Sequence, residues 1–165
     1  MLKDFQKSQR PSDEVMEARI EELRARLATK QTEIKEHKLP VLVVLEGWGA
    51  AGKGSILGKV IKNIDPRFFK VATMGAKTED DERKPFLYRH FVKIPEAGKY
   101  EFLDGSWMEE VTGDYLKGEL SAQDYQRRMT SIKQFERQLT DNGYLVMKFF
   151  FHIDEKEQKK RLDGL

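Results

Sequence analysis

A mainly parallel α/β fold follows from three observations in this 165-residue sequence. Short apolar runs alternate with helix-like segments along most of the chain. One run, Val41-Leu-Val-Val-Leu45, is continuously apolar, as a strand buried on both faces of a parallel sheet must be. Directly after it stands Gly47-Trp-Gly-Ala-Ala-Gly-Lys-Gly-Ser55, a glycine-rich turn that opens a helix.

Taken in order, residues 1–11 are polar, close at Pro11 and are expected to be a flexible lead-in. Ser12 is placed to cap a helix whose first turn holds Asp13 and Glu14, favourably set against the helix dipole. Met16, Ile20, Leu23, Leu27 and Ile34 recur at intervals of 4, 3, 4 and 7. They predict an N-terminal amphipathic helix within 12–39, ending near His37 ahead of Leu39-Pro40. Its stripe packs onto the helix's own domain or, over about three heptads, onto a partner helix.

Residues 40–165 read as one domain. Val41–Leu45 is the first strand, and Lys53–Ile64 the helix after the glycine turn, closed by Asp65-Pro66. Phe68–Met74 is a second strand, followed by a helix over Glu79–Val92 that Ile94-Pro95 stops. Tyr100–Asp104 is a short third strand; Trp107–Glu119 is weakly helical, interrupted by Gly113 and Gly118. Ser121-x-x-Asp124 starts a clearer helix with the apolar face Tyr125, Met129, Ile132, Phe135 and Leu139, and Asn142-Gly143 ends it. Tyr144–Ile153 is the fourth strand, and Asp154 begins a helix left unfinished at Leu165.

Composition sets the bounds on function. With 39% hydrophobic residues the chain holds a real core and is no disordered tail. Thirty Lys+Arg against 28 Asp+Glu give a formal +2, a charge that nominates neither nucleic acid nor membrane as partner. The absence of cysteine excludes disulfides, thiolate chemistry and cysteine-based metal sites. The apolar runs are far shorter than a membrane span and the N-terminus lacks a signal-peptide core, so the expected setting is soluble and cytoplasmic.

The chemistry is concentrated in the glycine turn. It contains G-x-x-x-x-G-K between a buried strand and a helix, the setting in which backbone N–H groups and a helix dipole cradle a phosphate. Gly47, Gly49, Ala50, Ala51, Gly52, Lys53, Gly54 and Ser55 are therefore candidate phosphate-binding residues, with Lys53 reaching a phosphate oxygen. The residue after the lysine ordinarily offers a hydroxyl to Mg²⁺; here it is Gly54, with Ser55 one place late. Asp104, at the end of an apolar strand, is then the candidate metal ligand and a candidate catalytic residue beside Lys53. Its plainer role is a turn aspartate before Gly105. Lys77, Arg83, Lys84 and Arg89 stand in a charged run with Glu79, Asp80, Asp81 and Glu82, a possible lid whose bland reading is a solvated face. Arg89 lies within Pro85-Phe-Leu-Tyr-Arg-His-Phe91, where packing can aim its guanidinium at phosphates, which makes it the third catalytic candidate. His37, His90 and His152 share no metal-ligand spacing.

Four segments resemble the type-2 polyphosphate kinases: Leu45–Gly54, Glu82–Arg89, Phe102–Trp107 and Phe135–Gly143, in that order. The resemblance implies a P-loop kinase-like three-layer sandwich with a mainly parallel sheet, similar to thymidylate kinase. It also implies phosphoryl transfer between inorganic polyphosphate and a nucleotide such as AMP or ADP, with Mg²⁺ as cofactor. Three departures matter. Gly49 stands where the family loop carries an aspartate; Asp104-Gly105-Ser106-Trp107-Met108 stands where it reads Asp-Arg-Ser-Trp-Tyr; and the family domain continues past the fourth strand, so the C-terminal part is expected to be missing. On these grounds the chain is similar to the degenerate N-terminal copy of a tandem polyphosphate:AMP phosphotransferase, weak or inactive itself, with a second homologous domain or a homo-oligomer as partner. Two other functions compete with this one. A non-catalytic polyphosphate-binding or dimerising module is the first. An ATP-dependent small-molecule kinase is the second, and the missing hydroxyl at residue 54 argues against it.

Overall fold

The computed structural model describes residues 11–164. The lead-in expected over 1–11 lies, Pro11 apart, outside them. Helix α1 (Asp13–Glu36) leads into β1 (Val41–Gly47), then α2 (Lys53–Ile61), a short 3₁₀ turn at Pro66–Phe68 and β2 (Phe69–Thr73). Two short helices, α3 (Glu79–Arg83) and α4 (Tyr88–Phe91), precede β3 (Tyr100–Asp104). The chain continues through α5 (Trp107–Leu116), α6 (Ala122–Asp141), β4 (Leu145–Phe151) and α7 (Glu155–Leu162).

The strands form one parallel sheet in the order β2-β3-β1-β4. The unbroken apolar run of β1 is explained by its central place: Val41 to Leu45 are all buried, with neighbours hydrogen-bonded on both sides. Alternation divides its side chains between two cores. Leu42 and Val44 join Leu103, Trp107, Val111, Ile132, Phe135 and Leu139 under α5 and α6. Val41, Val43 and Leu45 join Leu57, Ile64, Tyr100 and Phe102 on the opposite face, beneath α2 and part of α1. The result is the expected helix–sheet–helix sandwich.

Five elements differ from expectation for local reasons. The helix expected over Glu79–Val92 is split, because the residue before proline is pushed from helical to extended backbone; Lys84, ahead of Pro85, has φ −100° and ψ 159°. Conversely, Gly113 does not interrupt α5, since one glycine costs a helix only about 1 kcal/mol and the packing of Trp107 and Val111 exceeds that. α2 stops at Ile61. Phe68 closes the 3₁₀ turn that Asp65 caps, so β2 begins one residue later. The stripe on α1 meets the domain only in its C-terminal half. Leu27 and Ile34 pack on the second core, and Gln31 Oε1 accepts from the Asp65 backbone N–H at 3.1 Å, whereas Val15, Ile20 and Leu23 remain exposed.

β4 is an edge strand, with Leu145, Phe149 and Phe150 exposed. Among the described residues no helix is long and apolar enough to cross a membrane.

Candidate functional site

The order β2-β3-β1-β4 brings the C-terminal ends of β1 and β3 side by side, where open α/β sheets place their ligand crevice. A cleft of about 610 Å³ opens there, lined by Lys53, residues Thr73–Lys77, Arg89 and the stretch from Asp104 to Glu119.

One wall is the glycine turn. Gly47 has φ +135°, and a Cβ added there would lie 2.2 Å from the Phe151 carbonyl oxygen, so only glycine lets the loop leave β1 against β4. Trp48 donates its indole N–H to His152 Nδ1 at 2.8 Å, and Ala51 N–H bonds back to the Trp48 carbonyl at 3.1 Å. Ala50 is held at φ +58°, a strained backbone for alanine, of the kind that collects at functional sites. From α7, Gln158 Nε2 donates to the Gly49 carbonyl at 3.1 Å and Arg161 Nη1 to the Ala50 carbonyl at 3.2 Å. These carbonyls are thereby turned outward onto α7. Gly52 caps α2, whose first turn holds Lys53, Gly54 and Ser55, and the first N–H groups of a helix have no partner within it. Lys53 is 14% exposed; its Nζ donates to the Gly47 carbonyl at 3.0 Å and lies 3.8 Å from Glu109 Oε2.

The facing wall runs from the end of β3 into α5. Gly105 N–H donates to the Leu45 carbonyl at 3.0 Å, locking the two strand ends together. Asp104 Oδ2 lies 4.0 Å from where a Cβ at Gly54 would stand. The gap left by the missing hydroxyl therefore faces the candidate metal ligand directly. Beneath it, the buried Ser106 hydroxyl donates to buried Glu46 Oε1. Burial pushes the Glu46 carboxyl above its usual range, and Glu109 adds to the rise, while the hydroxyl of Ser106 opposes it.

The far end of the cleft is an ion network. Lys77 Nζ donates to Asp114 Oδ2 at 2.6 Å and lies 3.4 Å from Glu110 Oε1. Burial would lower the Lys77 ammonium, but Asp114 and Glu110 outweigh it and raise it. For Glu110 burial works upward, yet His90, Lys77 and Arg89 hold the carboxyl below its usual range. Arg89 is 12% exposed and donates from Nη2 to the Gly75 carbonyl at 2.6 Å, with Glu110 3.8 Å from its Nε. Its guanidinium is held at the cleft by these polar contacts.

Lys53, Asp104 and Arg89 thus line one cleft, whereas the other loop residues, Gly47, Gly49, Ala50, Ala51, Gly52, Gly54 and Ser55, stand beside it and are not part of its lining. Arg83 and Lys84 do not line it: Arg83 pairs with Glu79 and is 74% exposed, while Lys84 pairs with Asp80 and lies over the Tyr88 ring. Sequence reasoning missed the acids of α5, Glu109, Glu110 and Asp114, and the α7 side chains Gln158 and Arg161. Glu109 and Glu110 stand in the first turn of α5, where acids have a sufficient role against the dipole and so carry no signal of their own; Asp114, in the last turn, has no local pattern linking it to Lys77.

The parallel sheet, the glycine loop opening α2 and the strand-end aspartate beside it define a P-loop, kinase-like α/β protein. Within that class the chain belongs to the polyphosphate kinase 2 (PPK2) family, whose model matches residues 10–164. A polyphosphate:AMP phosphotransferase from Pseudomonas syringae pv. tomato is 38% identical over 128 residues, 78% of this chain and 25% of that protein. An AMP/ADP-polyphosphate phosphotransferase from Meiothermus ruber is 33% identical over 148 residues, 90% of this chain and 53% of that protein. The crystal structure of polyphosphate kinase 2 from Arthrobacter aurescens TC1 superposes with a TM-score of 0.85 at 31% identity, covering 88% of this chain and 53% of that one. The chain therefore spans between a quarter and about half of these relatives.

Proposed function

We propose that this chain is the phosphate-gripping part of a polyphosphate-dependent nucleotide phosphotransferase that moves a phosphoryl group from inorganic polyphosphate to AMP, forming ADP, and that this copy is itself a weak catalyst. The observation that carries the proposal is Lys53 at the start of α2, with Asp104 across the Gly54 gap. Relatives named for AMP as nucleotide support the acceptor. In the transfer, the bond between the terminal phosphorus and its bridging oxygen breaks as an oxygen of the AMP phosphate bonds to that phosphorus. The shortened polyphosphate leaves with the electron pair of the broken bond. Little covalent work falls to the protein, so positioning and charge decide the rate. The loop N–H groups, the dipole of α2 and Lys53 hold the donor chain, and the acceptor phosphate takes the end of the cleft near Gly75, Lys77 and Arg89.

Mg²⁺ belongs to the same proposal, with Asp104 as its protein ligand. The donor set fits, because magnesium is held by one or two carboxylates together with substrate phosphates and keeps several waters. Among the described residues no group of three or more His, Cys, Asp or Glu is arranged to hold a metal by protein alone. Bound at Asp104, the ion would neutralise charge on the transferring phosphoryl group. Gly49 and Gly105 leave this copy without the carboxylate and the arginine that the resemblance implies at those places, and each lost electrostatic group costs on the order of 10²–10³ in rate. Transfer therefore suffers more than binding. The exposed edge at β4 supports a partner domain or second copy alongside, in a cytoplasmic setting.

A non-catalytic polyphosphate-binding module is the second reading, favoured by the loop: Gly49 leaves it without a carboxylate, while Lys53 and the N-terminus of α2 remain to hold phosphate. The test titrates long-chain polyphosphate, with Mg²⁺ and AMP or ADP, into the full chain and its Lys53→Ala variant. A charge-assisted phosphate contact contributes about 1.5–3 kcal/mol, so affinity is expected to fall at least about tenfold in the variant. Slow ADP formation from AMP is expected to vanish with it. Equal affinity in the two proteins overturns the proposal, and Lys53-dependent binding with no transfer selects the second reading.

A further inference from the structure

Among the described residues, Glu109 is the acid of the cleft that lies within ion-pair distance of Lys53. Its Oε2 lies 3.8 Å from Lys53 Nζ, the ammonium on which the phosphate reading depends. The same oxygen lies 3.1 Å, and the carboxyl carbon 3.6 Å, from the position a Cβ at Gly105 would take. Gly105 sits at φ +77°, where any side chain is strained. The carboxylate thus occupies the space that a residue at 105 would otherwise claim, and it does so from α5, whose first turn the Ser106 cap and the fully buried Trp107 hold in place. Glu109 itself is 49% exposed. It is not part of the core, and replacing it leaves the packing of α5 intact.

We infer that Glu109 is a determinant of anion affinity: an internal carboxylate that competes with phosphate for Lys53, installed together with the glycine at 105. The inference rests on the phosphate-binding reading of the loop. An anion entering between the loop and α5 meets an ammonium already facing a negative charge, and must either displace the carboxylate or bind beside it. Like charges at that distance repel even at a hydrated surface. The alternative role for Glu109 is a first-turn acid stabilising α5 through the helix dipole. The two roles separate cleanly, because the dipole acts on thermal stability and competition acts on anion affinity.

The experiment measures the dissociation constants of inorganic phosphate and of long-chain polyphosphate, at fixed low ionic strength, for the full chain and for Glu109→Gln and Glu109→Asp. Competition by a half-exposed ion pair is modest, so Glu109→Gln is expected to bind phosphate about twofold to fivefold more tightly. Glu109→Asp, which keeps the charge on a shorter arm, is expected to fall between. Circular dichroism checks that both variants are folded. Unchanged, weaker or undetectable phosphate binding in Glu109→Gln overturns the inference, even if polyphosphate binds well. Tighter phosphate binding with no preference for the long chain over phosphate upholds the inference and sinks the polyphosphate reading instead.

Discussion

The two walls of the cleft tell different stories. The loop wall, Gly47 to Ser55, retains what anion binding needs: a glycine that only close approach to Phe151 explains, a helix N-terminus and a lysine set beside them. The α5 wall carries Asp104, Glu109, Glu110, Asp114 and Glu119, and its basic residue in the cleft is Lys117. Lys77 and Arg89 at the far end are already engaged by Asp114, Glu110 and the Gly75 carbonyl. A polyanion would enter a cleft that grips on one side and repels on the other. The difference teaches that one cleft can set its glycine-loop lysine opposite a wall in which acids outnumber bases.

The largest effect comes from unseating the acid wall. Trp107 is fully buried, packs edge-on against Phe135 and His90, and donates its indole N–H to Glu136 Oε1 at 2.9 Å. Trp107→Ala is expected to cost about 3–5 kcal/mol in stability, read by chemical denaturation. A loss under about 1 kcal/mol would mean that α5 is positioned by something other than its packing on the sheet.

A smaller effect sharpens the comparison from beneath both walls. Glu46 has its carboxyl raised by burial, so the folded state holds the proton more tightly than the unfolded chain does. The stability this contributes is complete below the usual carboxylate value of 4.5 and is lost as pH rises through the raised folded value. Glu46→Gln keeps an acceptor for the Ser106 hydroxyl and is expected to be slightly more stable than the parent at neutral pH. The advantage should shrink as pH falls through that interval. Thermal melts of both proteins from acid to neutral pH check the sign; a Gln variant less stable at neutral pH contradicts it.

Much of this was legible in the sequence. The unbroken apolar run of β1 announced the central strand of a parallel sheet, and G-x-x-x-x-G-K after it announced the loop. Asp104 at the end of an apolar strand and Arg89 within an aromatic patch were also readable as candidates, and both line the cleft. Lys84-Pro85 is a break signal that the expectation of a single helix over Glu79–Val92 does not include. The depth of α1 docking was not legible. Its stripe continues where the second core does not, and only the fold shows that Leu27, Gln31 and Ile34 meet the domain. The clasp of α7 on the loop joins Gln158 to Gly49 and Arg161 to Ala50, pairs more than a hundred residues apart that no local pattern links. Glu109 lay hidden because charge at the start of a helix needs no further explanation.

The account turns on the coupling of the two walls through Lys53 and Glu109, and a double-mutant cycle on polyphosphate affinity measures it directly. Parent, Lys53→Ala, Glu109→Gln and the double variant are titrated with one polyphosphate preparation at one ionic strength. If the carboxylate acts on the lysine's hold on phosphate, Glu109→Gln tightens binding about twofold to fivefold in the parent and much less once Lys53 is gone. An equal gain in both backgrounds would show Glu109 acting on the ligand independently of Lys53, and would contradict the account.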